Sequence, residues 1–468
     1  MKNVIIDSDV MNEIDDQFAI AYALCAKELN VQAITICPFN INYKRISIKD
    51  GLVDSYFEAK RLCRLAGKNP NIVYKGSIGY VTSGYKELTE GTKKIIEIAL
   101  KNRKTYVVCL GTLTNAAIAL LNEPKIAKKI EVIWLGTKNL LADKFNDSNY
   151  MKDKKAFEVV VKSDVKLHII PSYVGKFNGT SVYEIKEHVA INPLGKHLYS
   201  LVENFELIIV NRGLKYIYDI MPIAYLINKK LFVYKDIDRN LVLKEETKLQ
   251  DKKLLTYVYD GSSRHSVWKE FLNTIAEAPT NIFKSKIFFT SDTHFSQKNK
   301  VRSKEFKLSS TEKTDHEYIK RWNSVVGEDD TVYHLGDFGN YNIIKKLNGQ
   351  IILICGNYER EDIKLKYNND FEKFKKYLLS LGFKDVVKDG LILDKNILGK
   401  EVYLTHKPTD TKKDMFNLFG HVHSLKPIMP NGFNVCIEYH DFKPIGVDIV
   451  KDYMKFILTR SDEDVFVD

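Results

Sequence analysis

Short apolar runs, each broken by a polar loop and followed by a stretch of helical spacing, recur along the whole chain. That alternation is the mark of α/β layers. In the first half Val4-Ile5-Ile6 reads as a strand running into a loop, and Phe18 to Leu24 as a helix. Further strands are expected at Val31 to Cys37, Thr105 to Leu110, Ile130 to Leu135 and Val165 to Ile170. Helices are expected at Thr92 to Lys101, Asn115 to Leu121 and Ile220 to Ile227. A second start appears at Lys286-Ile287-Phe288-Phe289-Thr290-Ser291-Asp292, again a strand entering an acidic loop. Between the two, Ala276-Glu277-Ala278-Pro279-Thr280-Asn281 stops the helix expected around Trp268 to Leu272, since Pro279 cannot continue it. A chain of 468 residues exceeds one ordinary core, so two domains are expected, 1–278 and 286–468, joined by a linker at 279–285.

Composition narrows the class. With 44% apolar and 28% charged residues the chain reads as a soluble globular protein. No run approaches the ~20 apolar residues of a membrane span. The opening Met1-Lys2-Asn3-Val4-Ile5-Ile6-Asp7 lacks a signal-peptide core, so a cytoplasmic location is expected. Six scattered cysteines without a CxxC pair suit a reducing compartment. A net charge of +11 invites a nucleic-acid partner, but the lysines form short clusters such as Lys128-Lys129, Lys154-Lys155 and Lys412-Lys413, interleaved with acids. Without a basic tail the charge favours a small-molecule nucleotide, nucleoside or related phosphoester, and nucleic acid is the weaker alternative. There is no internal repeat and no low-complexity tract.

The second half carries an ordered set of acidic and imidazole groups, each after an apolar run. They are Asp292-Thr293-His294, Gly336-Asp337, Gly356-Asn357, Thr405-His406 and Gly420-His421-Val422-His423. Mixed oxygen and nitrogen donors without cysteine suit two divalent ions such as Mn2+, Fe2+, Zn2+ or Ni2+. A pair about 3.5 to 4 Å apart would polarise a phosphoryl oxygen and activate a bridging water. Asp337, alone on its loop, is the natural bridging carboxylate. These residues, with Trp322-Asn323 and Asp329 through Phe338, resemble the calcineurin-like metallophosphoesterases over residues 286–440. The resemblance implies an α/β sandwich of two sheets flanked by helices. It implies one ion on Asp292, His294, Asp337 and His423, and another on Asp337, Asn357, His406 and His421. Where that family has a histidine after the asparagine, this chain has Tyr358. Loss of such a group lowers a rate by ~10² to 10⁴. Tyr358 and His334 are the candidates to take its place, and the change favours diesters or good leaving groups over monoesters.

In the first half, Asp7-Ser8-Asp9 and Asp15-Asp16 bring four carboxylates to one strand-to-helix loop. They repel unless a cation compensates, and all-oxygen ligation suits Ca2+. An acidic helix start stabilised by the helix dipole is the competing explanation. Three further segments follow: Leu110-Gly111-Thr112-Leu113-Thr114-Asn115-Ala116, Asp147-Ser148-Asn149 before Asp153 and Ala156, and Tyr218-Asp219-Ile220-Met221-Pro222. In order they resemble the signature segments of the inosine–uridine-type nucleoside hydrolases, from residue 3 to about 230. The resemblance implies a Rossmann-like open, mostly parallel sheet with flanking helices, and assembly into dimers or tetramers through this half. It implies Ca2+ on Asp9, Asp16, Asp219 and a backbone carbonyl near Leu110, with Asp9 as general base. Asp15, Asn40, Asp147, Asn149 and Asp219 would hold the ribose hydroxyls. The departures fall mainly on leaving-group activation: Tyr218 stands where that family often has histidine, Asp147 replaces a glutamate, and Phe39-Asn40 replaces a glycine-asparagine turn.

The two halves together read as a bifunctional hydrolase of nucleotide metabolism, cleaving a phosphoester and an N-glycosidic bond. One alternative is a phosphoesterase regulated by a degenerate nucleoside-binding domain. Another is a nuclease or cyclic-nucleotide phosphodiesterase.

Overall fold

The computed structural model describes residues 1–40, 47–138, 147–177, 179–203, 214–243, 248–261, 264–280, 285–297, 310–423, 428–440 and 442–458. The chain divides into two units, Met1–Phe283 and Lys284–Asp468.

The first unit is built on strands β1 (Lys2–Ser8), β2 (Leu29–Ile36), β3 (Val73–Lys75), β4 (Thr105–Cys109), β5 (Ile130–Leu135) and β6 (Lys166–Ile170). A small antiparallel pair follows, β7 (Gly179–Ser181) with β8 (Leu214–Tyr216), and then β9 (Phe232–Asp238) and β10 (Leu254–Gly261). Eight strands form one sheet in the order β3-β2-β1-β4-β5-β6-β10-β9, parallel throughout except for the edge strand β9. Runs such as Val4-Ile5-Ile6 and Val107-Val108 are buried on consecutive residues because both faces are covered. Ile5, Val107, Val132 and Leu167 share a core with the helices Glu90–Lys101, Thr114–Asn122 and Lys154–Lys162. His168 lies between Leu167 and Ile169 and so points to the other face, where its Nδ1 is 3.1 Å from the hydroxyl of Tyr225. Tyr225 belongs to the helix Ile220–Ile227, which packs with Asp15–Cys25 and Arg264–Ala276.

The strand order reverses between β1 and β4. In an open α/β sheet a crevice opens at such a point, outside the carboxyl ends of the strands. Asp9 follows β1 directly and Leu110 follows β4 directly, so this topology brings the two carboxylate-bearing segments and the β4 loop together.

Two strands beyond those expected, β9 and β10, extend the sheet past the helix Ile220–Ile227, and β9 escapes the sequence pattern because its edge position leaves Val233 and Tyr234 exposed. The helix Arg264–Ala276 ends before the expected linker, Ala278 is buried, and a Cβ on Gly67 would meet Pro279 at 2.8 Å. Residues 276–279 are thus packed onto the first unit, and 281–284 lie outside the described residues.

The second unit has two five-stranded sheets. Its strands are β11 (Ile287–Thr290), β12 (Thr331–His334), β13 (Gln350–Ile354), β14 (Asp385–Val387), β15 (Leu391–Leu393), β16 (Val402–Leu404), β17 (Phe416–Phe419), β18 (Ile428–Met429), β19 (Gly432–Asn434) and β20 (Ile445–Gly446). One sheet runs β14-β13-β12-β11-β20, with β11 to β14 parallel. The other runs β15-β16-β17-β19-β18, with β16, β17 and β19 parallel. Phe288, Trp322, Val332, Phe338, Leu353 and Phe374 form a core that joins the first sheet to the helices Thr311–Val325 and Phe371–Leu381. Parallel strands send their following loops to one edge, and every metal-ligand candidate follows β11, β12, β13, β16 or β17. Among the described residues no helix is long and apolar enough to cross a membrane.

Arg239 ties the new edge to the older sheet. Its buried guanidinium donates to the carbonyls of Val161 (2.8 Å), Ser163 (2.6 Å), Val165 (2.5 Å) and Leu254 (3.0 Å). Arg239→Met leaves these acceptors unpaired and is expected to cost about 2–4 kcal/mol in urea unfolding followed by circular dichroism. A loss below roughly 0.5 kcal/mol, the size of an ordinary surface change, would show that the edge does not depend on this group.

Candidate functional site

At the switch point of the first unit, Asp9 is buried and its Oδ2 accepts from Asn12 Nδ2 at 3.0 Å. A Cβ on Gly111 would stand 2.4 Å from Asp9 Oδ1 and 2.5 Å from Cys37 Sγ, so only glycine lets the β4 loop pass. Asp15 and Asp16 open the helix Asp15–Cys25, and Asp219 precedes the helix Ile220–Ile227. One oxygen from each of Asp15, Asp16 and Asp219 lies within 4.8 Å of the others. Asp16 Oδ1 accepts from Ser8 Oγ at 2.5 Å, and Asp15 Oδ2 from the backbone N–H of Tyr218 at 3.2 Å.

Charge is unevenly compensated here. Lys152 Nζ lies 4.0 Å from Asp9 Oδ2, and Lys215 Nζ lies 3.5 Å from Asp15 Oδ1 while also pairing with Glu13. No ion pair with a lysine or arginine reaches Asp16 or Asp219 among the described residues. Burial raises both carboxyls well above their usual range, and the charges of Asp9 and Asp15 push in the same direction. An all-oxygen donor set carrying excess buried negative charge fits a hard cation such as Ca2+.

The remaining sequence candidates of this half lie around that cluster. The Leu110 carbonyl accepts from Asn149 Nδ2 at 2.7 Å, which leaves it a second lone pair. The same amide donates to the Leu135 carbonyl at 3.0 Å, so the Asn149 nitrogen is engaged by the backbone. Asp147 Oδ1 accepts from the Asn149 N–H at 3.0 Å and caps the short helix Ser148–Lys152. Asn40 Oδ1 accepts from the Tyr80 hydroxyl at 3.1 Å. The half-buried Tyr218 ring rests against Gly175, where a Cβ would lie 2.6 Å from Tyr218 Cδ1. Lys152 and Lys215 were not anticipated. Lys152 sits in a lysine-rich stretch that reads as solvated surface, and nothing in the spacing marks Lys215 as buried.

In the second unit two groups form around one carboxylate. Ligand atoms of Asp292, His294 and His423 lie within 4.8 Å of one another, as do those of Asp337, His406 and His421. Asp337 Oδ2 stands 3.9 Å from His294 Nε2 and 3.5 Å from His406 Nε2, between the two groups. Asn357 Nδ2 lies 3.1 Å from His421 Nδ1, and Asp292 Oδ2 accepts from the His421 N–H at 2.9 Å. The outer ring nitrogens are occupied: His294 Nδ1 is 2.9 Å from Gln297 Oε1, and His406 Nδ1 is 2.7 Å from the Leu335 carbonyl. Among the described residues Asp292 Oδ1 and His406 Nε2 are buried without a hydrogen-bond partner. Burial opposes a proton on His406, yet Asp337 and Asp292 raise its imidazole to about 9. A proton there does the work that a metal ion would do, and the donor set fits a divalent transition ion.

The backbone at these positions is costly. Asp292 (φ 57°), His294 (44°), Asp337 (56°), His421 (69°) and His423 (50°) all occupy the left-handed region. Each costs roughly 1–2 kcal/mol for an L-residue. Gly336, at φ 92°, relieves the loop before Asp337, where a Cβ would meet the Gly356 backbone at 2.5 Å.

His334 is a correction. It ends β12 fully buried, with Nε2 3.0 Å from Thr293 Oγ1 and its ring against Trp322 and Phe338. Burial pushes its imidazole down to about 3, so it stays neutral and braces the Asp292 loop instead of meeting a leaving group. Tyr358 is 43% exposed, edge-on to the His294 ring at 5.0 Å, and its N–H donates to Asp337 Oδ1 at 3.0 Å. Glu359, which carried no assigned role, is buried and accepts from the N–H groups of Asp337, Phe338 and Gly356 at 2.8, 3.0 and 2.8 Å. It locks two ligand loops together. Beside His406 opens a cavity of about 400 Å³, lined also by Arg360, Tyr403, Thr405 and Lys407. Arg360 is anchored there by the Lys388 carbonyl (3.1 Å) and Asp389 (3.0 Å).

The family described as inosine-uridine preferring nucleoside hydrolase matches residues 4–254. A protein of Methanocaldococcus jannaschii described as uncharacterized protein MJ1445 is 26% identical over 184 residues, covering 35% of this chain and 89% of its own length. Among solved structures, the plant nucleoside hydrolase PpNRh1 is 18% identical, covering 59% of this chain and 99% of its own, with a TM-score of 0.48. A purine-preferring ribonucleoside hydrolase from Gardnerella vaginalis gives 20%, 59%, 98% and 0.48. An inosine-uridine preferring nucleoside hydrolase from Bacillus anthracis gives 17%, 59%, 99% and 0.44. With more than half of its 468 residues inside the family match, the chain belongs to the inosine-uridine preferring nucleoside hydrolase family.

Proposed function

We propose that the chain is a bifunctional hydrolase, with a calcium-dependent N-ribosyl hydrolase in the first unit and a dinuclear-metal phosphoesterase in the second. The observation that carries the first is the convergence of Asp9, Asp15, Asp16 and Asp219 at the sheet's switch point, with too little positive charge among them. The second rests on two ligand groups that share Asp337.

When bound, the ions supply positive charge for the ribose hydroxyls or the phosphoryl oxygens and ease deprotonation of the attacking water. The chain's own residues do the rest. Asp9, held on Oδ2 by Asn12, accepts the water proton while the C1′–O bond forms and the C1′–N bond breaks. Asp15, fixed by Lys215 and the Tyr218 N–H, serves a ribose hydroxyl as acceptor. Burial raises the Tyr218 phenol, so it stays protonated and offers the departing base a hydrogen bond and a stacking face. In the second unit Asp337 and Asn357 hold the centre, Tyr358 donates to a phosphoryl oxygen, and the cavity beside Arg360 receives the alcohol portion of the ester. Cleavage of a diester on the side of its ribose oxygen frees a nucleoside, the kind of product that a pocket for free ribose hydroxyls accepts, which is the rationale for joining the two. The substrates that fit are small nucleotides, nucleosides and related phosphoesters.

Three measurements test this. In a nucleoside and phosphoester screen with Ca2+ and Mn2+, Asp9→Ala should abolish release of free base and Asp337→Asn release of alcohol, each by at least ~10². If either variant keeps every activity of the parent, the corresponding site is misassigned. Ca2+ at about 100 times its Kd should stabilise the parent by ~2.7 kcal/mol, and Asp219→Asn should gain nothing. Equal calcium shifts in thermal melts of both would remove Asp219 from the ligand set. Tyr358→His should raise monoester turnover by about 10² or more and leave diester turnover nearly unchanged. An equal change in both would mean that Tyr358 does not set the ester class.

A further inference from the structure

Behind His423 sits a carboxylate that the ligand pattern does not require. Glu438 lies on the short turn Ile437–His440, and its side chain has no exposed surface. Its Oε1 is 3.0 Å from His423 Nδ1. Apart from that ion pair, neither of its oxygens has a hydrogen-bond partner among the described residues. A buried carboxylate so poorly solvated persists only beside compensating positive charge, and His423 is the group that faces it. The other two histidines with occupied outer nitrogens face neutral oxygens, the Gln297 amide and the Leu335 carbonyl. Cys436 Sγ lies 4.0 Å from the same His423 nitrogen, so His423, Cys436 and Glu438 also form a close group of their own.

We propose that Glu438 is a positioning residue: it fixes a proton on His423 Nδ1, turns Nε2 toward the ion shared with Asp292, His294 and Asp337, and makes that imidazole the strongest donor of the set. This rests on the dinuclear reading of the second unit. A carboxylate behind a ligating histidine sets the tautomer and ring orientation and increases ligand basicity, and its removal typically costs 10- to 100-fold in metal affinity. Of the two ions, the one on His423 gains from Glu438, and the one on Asn357, His406 and His421 does not.

The test uses the full chain, stripped with a chelator and titrated with Mn2+. Elemental analysis counts bound ions, and electron paramagnetic resonance distinguishes a coupled pair from an isolated ion. The parent should bind two ions and show a coupled spectrum. Glu438→Gln keeps the shape and one acceptor oxygen but removes the charge. It should weaken one of the two ions by 10- to 100-fold, leave the other unchanged, and give an isolated-ion spectrum at intermediate Mn2+. Glu438→Asp should recover part of that loss, and Cys436→Ala should match the parent, with circular dichroism verifying the fold of each. Two ions bound by Glu438→Gln with parental affinities would overturn the proposal, as would equal losses in the Gln and Asp variants. A loss in Cys436→Ala as large as that in Glu438→Gln would instead make His423, Cys436 and Glu438 a metal site in their own right. If the parent itself never holds two ions, the dinuclear reading fails and this inference with it.

Discussion

Carboxylates buried at the ends of parallel strands repel one another across low-dielectric surroundings, and both units of this chain contain such a group. In the first, Asp16 and Asp219 carry the excess, because the nearby lysines are committed to Asp9 and to Asp15 with Glu13. In the second, Asp292 and Asp337 are balanced in part by His406, whose imidazole they raise to about 9 against the effect of burial. Lysines and protons offset part of that repulsion, and a bound cation would offset the rest. The surrounding glycines, helix starts and hydroxyl donors keep the oxygens in place.

The strand directions make this possible. Reversal of the strand order between β1 and β4 opens a crevice that Asp9 and the Leu110 carbonyl enter from adjacent strand ends. In the second unit two separate sheets deliver ligands: β11, β12 and β13 from one, β16 and β17 from the other. Asp337 stands within 4 Å of a histidine from each group. The precision of either site therefore derives from strand register, and the side chains add the last few tenths of an ångström.

Much of this was legible in the sequence because the chemistry clusters at apolar-run ends. Each of the runs ending at Asp292, Asp337, Asn357, His406 and His421 forms a strand near its expected place. What stayed hidden depends on tertiary neighbours. Glu359 has no motif to mark it, and only the fold brings three N–H groups to it. Glu438 stands outside every motif of the sequence, and only the fold sets it against His423. Lys215 is buried by carboxylates some two hundred residues away. His334 misled in the opposite direction, since a histidine beside a Gly-Asp motif looks catalytic until Trp322 and Thr293 enclose it. The edge strand β9 was missed because most of its residues face water and it loses the pattern that marks a buried strand.

The left-handed backbone at Asp292, His294, Asp337, His421 and His423 has an evolutionary corollary. These are the positions at which glycine or asparagine would relax the chain, so drift toward stability and loss of function point along the same substitutions. A descendant of this chain freed from selection for its ions would shed the ligands first and become sturdier as it did so. The backbone cost at these five positions is therefore the stability that an ion bound there would have to return.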